Sequence, residues 1–199
     1  MTSLLIGLFL ATLIVALFTM RLYRLILWYS LNSLTLALLA ITIGVNIDDS
    51  AMIISGFLTL VLKAFLIPYI LKRVSIRFDL SRQIEPNIPV HYSVILVPAL
   101  LVFTFYLSEP ITNMISSNTN DVAISISALF LSLLLMMEHK NIAPKIIGFL
   151  TIENSLFLLG TTATNGMPML IELGIFFDLL MAIVIINLLF GHDDEEIAQ

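Results

Sequence analysis

The 199-residue sequence has no cysteine, a single tryptophan and few charges, with Asp, Glu, Lys and Arg making up only 12%. Without cysteine there are no disulfides, no thiolate-held iron–sulfur clusters and no thiolate zinc sites. His91, His139 and His192 are widely spaced in or beside polar segments, which argues against a haem or metal centre. No nucleophile–base set, phosphate loop or metal-ligand spacing appears, so no catalytic residue is expected in this chain. No basic patch suits nucleic acid. A soluble domain carries about a quarter charged residues. At 59% hydrophobic and a mean hydropathy of +1.06, this chain reads instead as an all-α, polytopic transmembrane bundle. Met1-Thr2-Ser3 lacks the positive segment of a cleavable signal, so the first apolar stretch is expected to be retained.

Seven apolar runs are long enough, or nearly so, to cross a core of about 30 Å at 1.5 Å per residue. They lie near residues 3–20, 25–44, 51–71, 92–107, 122–137, 145–163 and 167–190. Asn46-Ile47-Asp48-Asp49-Ser50 carries helix-capping chemistry before the third run, and Pro144 and Pro168 suit the first turns of the sixth and seventh. The links at 72–91 and 108–121 read as polar loops. Arg21, Arg24, Lys72, Arg73, Arg77, Arg82, Lys140 and Lys145 all fall on one side if seven helices alternate. That bias places the N-terminus outside and the acidic tail, 191–199, in the cytoplasm.

What remains is a small set of ionisable groups inside apolar runs. A charge at a bilayer centre costs about 2.5–3.5 kcal/mol on insertion scales, so such a group must be paired, protonated or hydrated. Glu153 is central in Gly148-Phe149-Leu150-Thr151-Ile152-Glu153-Asn154-Ser155, with Asn154 and Ser155 beside it and Gly148 and Gly160 permitting close helix approach. Glu172 and Asp178 lie in the seventh run, separated by about 120° around a helix, so they face different neighbours. Lys63 lies in the third run, on a stripe with Ser55 and Thr59, and Pro68 frees the carbonyl of Ala64 beside it. Carboxylates and one lysine in this setting suit the movement of protons or small cations. Snorkelling or a static Lys63–carboxylate pair is the plainer alternative for the lysine. Asn32, Thr35, Ser125 and Ser132 read as helix-packing positions, with Asn32 and Thr59 as supporting polar groups.

The whole chain resembles the hydrogenase-4 component E family, membrane subunits of complex I-related group 4 nickel–iron hydrogenases. The resemblance is carried by Thr59-Leu60-Val61-Leu62-Lys63-Ala64-Phe65-Leu66-Ile67-Pro68, by Gly148 to Leu159, and by Gly166 to Leu180 with Glu172 and Asp178. Residues 121–190 are also similar to the K subunit of complex I and the C subunit of Mrp antiporters, while 1–107 form a separate N-terminal four-helix region. The resemblance implies a lateral proton path through Glu153 and Glu172, with Asp178 sharing or replacing the role of Glu172 and Lys63 tuning or joining the chain. Antiporter-like and other membrane-arm subunits are then the partners, in the plasma membrane bilayer. Nickel–iron, iron–sulfur or quinone chemistry is confined to those partners. Two alternatives stay open: a purely structural scaffold subunit of the same kind of complex, and a free-standing cation or proton transporter.

Overall fold

The computed structural model describes residues 2–77, 87, 89–115 and 119–164, and over these the chain is all-helical. The order is α1 (Thr2–Leu17), α2 (Leu22–Asn46), α3 (Ser50–Thr59), a π-helical segment (Leu60–Leu66), α4 (Ile67–Arg77), α5 (Val90–Ile115), α6 (Thr119–Glu138) and α7 (Ile142–Thr164). Five helical stretches among the described residues are long and apolar enough to cross a membrane: Leu22–Asn46, Ser50–Ile76, His91–Pro110, Asn120–Glu138 and Ile142–Ala163. Thr2–Leu17 is apolar but shorter. Length and composition thus make this a multi-pass membrane protein. The seventh apolar run, 167–190, lies outside the described residues.

Local chemistry sets the boundaries. Beyond Asn46 the chain turns through Asp48 at φ 54°, and Asp49 then caps α3 by accepting from the Ala51 amide at 2.9 Å. Pro144 sits in the first turn of α7, where its missing amide costs nothing. Two expected loops begin later than the sequence suggests. α4 runs on to Arg77, and α5 runs through Pro98 and Pro110 to Ile115. Ser108, at the start of the expected 108–121 loop, returns its hydroxyl to the Phe105 carbonyl at 2.8 Å, so a polar residue does not force an exit.

Leu5, Phe9, Leu13 and Leu17 recur every four residues and bury one face of α1. They join Leu25, Tyr29 and Leu36 of α2, Leu131 and Leu135 of α6, and Leu150 and Leu158 of α7 in one core. α6 packs against α1, α5 and α7, while α2 packs against α1, α3, the π segment and α7. At Gly148 a Cβ would stand 2.7 Å from the Met136 Cα, so α6 and α7 meet at a distance only glycine permits. Large apolar side chains such as Phe57, Phe65, Val102 and Tyr106 point outward, whereas Lys63, Asn32, Asn154 and Ser155 are buried. Large apolar side chains thus cover the outside as well as filling the core, while charged and amide groups are buried, which suits lipid surroundings.

Candidate functional site

The site begins with a defect in a helix. Pro68 carries no amide hydrogen, and its ring crowds the carbonyl four residues back, that of Ala64. The seven residues immediately before α4 are wound as a π helix, with the Ile67 amide donating to the Leu62 carbonyl. Such wide turns are rare and concentrate at functional positions. Ser30 of α2 fills the vacancy Pro68 creates, donating its hydroxyl to the Ala64 carbonyl at 2.6 Å.

Lys63 lies in this π segment, 2% exposed, and its Nζ is 3.3 Å from Oε1 of Glu153 on α7. Two groups ninety residues apart in sequence therefore form a buried ion pair. At this separation the Coulomb attraction is about 5 kcal/mol for an effective dielectric near 20. Removing each ion from water costs several kcal/mol. Whole, the pair roughly breaks even; halved, it leaves a buried charge without its counter-ion across the bundle.

Residues 153–155 hold the rest of the site together. Successive helix positions differ by about 100°, so three in a row face three directions. Glu153 faces the π segment. Asn154 donates to Asn32 Oδ1 at 3.2 Å and Ser33 Oγ at 2.9 Å, both on α2. Ser155 shares a 2.8 Å hydroxyl contact with Ser132 of α6. Asn32 extends the array to α1, donating to Thr12 Oγ1 and to the Phe9 carbonyl, each at 3.1 Å. On the other flank Thr104 of α5 contacts Ser127 of α6, and Ser125 meets Thr162 of α7 at 3.0 Å. Polar contacts thus link α1, α2, the π segment, α5, α6 and α7.

Of the residues singled out from sequence, the structure brings together Lys63, Glu153, Asn154, Ser155 and Asn32. Thr59 and Ser55 are buried on the same rod as Lys63, and the Ser55 hydroxyl has no hydrogen-bond partner among the described residues. Asn32 and Ser132 make interhelical hydrogen bonds that join them to the array. Glu172 and Asp178 lie outside the described residues.

One carboxylate escapes sequence reasoning. Glu138 ends α6, is 1% exposed, and accepts a 2.6 Å hydrogen bond from the buried Ser93 of α5. His139 beside it is buried too, with Nδ1 2.9 Å from the Leu135 carbonyl. In the sequence Glu138 is merely the first polar residue after an apolar run, opening Glu138-His139-Lys140-Asn141, and nothing there signals burial.

The chain is 28% identical over 171 residues to Rv0085 of Mycobacterium tuberculosis, an uncharacterized protein, covering 85% of this chain and 76% of that one. No protein-family model matches the chain. No solved structure matches it either.

Proposed function

We propose that this chain is a non-redox membrane-arm subunit of a complex I-like, group 4 hydrogenase-type oxidoreductase, relaying protons laterally to antiporter-like subunits. The observation that carries this reading is the buried Lys63–Glu153 pair at 3.3 Å, set among polar contacts that reach α1, α2 and α6. An ion pair alone is a fastener. The group in it that can hold a proton is the Glu153 carboxylate, and Asn154 and Ser155 on the neighbouring faces of α7 tie that carboxylate's helix to α2 and α6.

In this reading a proton reaching Glu153 cancels its charge and releases the Lys63 cation from its partner. The altered field then changes the proton affinity of the next carboxylate, for which Glu172 and Asp178 are the assigned positions. The full reading has seven membrane helices, the N-terminus outside, the acidic tail in the cytoplasm and the plasma membrane as location. The eight basic residues clustered after the first, third and fifth apolar runs support that orientation. Redox centres belong to partner subunits.

The test is Glu153→Gln in the intact complex, assayed for proton translocation and electron transfer together. The relay reading expects translocation to fall with the complex still assembled. Full translocation with full electron transfer would overturn it.

A structural scaffold is the second reading, favoured by the hydrogen bonds from Asn154 and Asn32 that tie α7, α2 and α1. It expects the same variant to impair assembly, while any assembled complex pumps normally.

A further inference from the structure

We infer that the groove between α2 and α4 is a binding site for an anionic glycerophospholipid, with an acyl chain along the groove and the phosphate at its basic mouth. This inference stands on the groove and its charges and does not depend on the relay reading.

The groove has a polar mouth, apolar walls and a closed floor. Tyr23 and Lys72 line the mouth, Leu27 and Phe65 the walls, and Ser30 and Ala64 the floor. Its floor is sealed by the 2.6 Å Ser30–Ala64 hydrogen bond. From mouth to floor is seven residues on α2 and eight on the opposite rod. At 1.5 Å per residue this is about 10–12 Å, a depth that suits a chain end over a compact soluble molecule. The cavity of about 460 Å³ falls within the range of ligand pockets.

The groove follows from the sequence. α2 packs closely along α3 and much less along α4, so the two rods part beyond the π segment and Pro68. The outward faces of Leu27 and Phe65, 56% and 61% exposed, leave the walls open to the bilayer from the side.

Charge identifies the headgroup. Every charged residue in α2 and α4 is basic: Arg24 on α2 and Lys72, Arg73 and Arg77 on α4, with Arg21 immediately before α2. Lys72 lines the groove itself, Arg24 and Arg73 are exposed next in sequence to its lining residues Tyr23 and Lys72, and Arg21 is exposed just before them. Basic pockets between membrane helices take anionic headgroups, and Tyr23 and Tyr69 supply the amphipathic rings expected at headgroup level.

The experiment is native mass spectrometry of the purified full-length chain, exchanged from equimolar phosphatidylglycerol and phosphatidylcholine. The expected result is preferential retention of phosphatidylglycerol. Arg24→Gln with Lys72→Gln should cut that preference by about 25-fold, near fivefold per charge. Leu27→Trp, at an exposed position, should block the groove and abolish retention while leaving all charges in place. Equal retention of the two lipids by the unmodified chain overturns the proposal. So does a preference that survives Leu27→Trp, because the lipid would then sit on the basic face and not in the groove.

Discussion

Lys63 and Glu153 are held 3.3 Å apart inside the bundle, one in a π-helical segment and the other at the middle of α7. Losing either one removes the other's counter-charge on the facing helix. Lys63→Met or Glu153→Leu alone should destabilise the fold by about 3–5 kcal/mol, whereas the two together should restore most of it. Reversible unfolding in mixed micelles, run as a double-mutant cycle, measures this. Additive losses would mean the two side chains do not interact.

Ser30→Ala removes the donor to the Ala64 carbonyl and should cost about 1–3 kcal/mol, because that carbonyl has no amide four residues on. Pro68→Ala returns that amide. The Ser30→Ala loss should therefore shrink in a Pro68→Ala background, and an unchanged loss in thermal unfolding would refute the linkage.

Gly148→Ala drives a methyl to 2.7 Å from the Met136 Cα and should cost about 1–3 kcal/mol through forced separation of α6 and α7. At Gly7 nothing lies within 4 Å, so Gly7→Ala should be neutral or gain up to about 1 kcal/mol of helix propensity. Comparing the two melting temperatures is enough to decide.

Ser93→Ala deprives buried Glu138 of the 2.6 Å hydrogen bond at its Oε1. A cost of about 1–3 kcal/mol is expected, recovered largely by a further Glu138→Leu, since removing both partners removes the unmet need. If Glu138→Leu in the Ser93→Ala background lowers stability further, the carboxylate has a second role that Ser93 does not explain.

Much of this architecture is legible in the residues. Apolar runs locate six of the helical stretches, and Asp49, Pro144 and Pro68 act where capping and proline chemistry place them. Lys63 and Glu153 stand out because a charge in an apolar run has few cheap explanations. Their pairing was not legible, because contacts between distant segments leave no periodic trace in one chain. Nor was the π winding, since the run Leu60 to Leu66 has the composition of any buried helix. Which partners Asn32 and Ser132 take is not legible either, because a small polar side chain reads the same whether it meets lipid, backbone or another side chain. Glu138 stayed hidden at a helix end, where an acidic residue ordinarily meets water.

The fan of contacts from Glu153, Asn154 and Ser155 fixes α7 at a single rotational setting. Turning the helix by one position would aim the carboxylate at another neighbour and strip all three residues of their partners at once. Under the proposed relay, a cycle of charge on Glu153 would then be absorbed by side-chain rotation within the array and not by the microsecond-to-millisecond movements of whole helices. The backbone would serve as a stator, and the turnover of such a site would be paced by the arrival of charge.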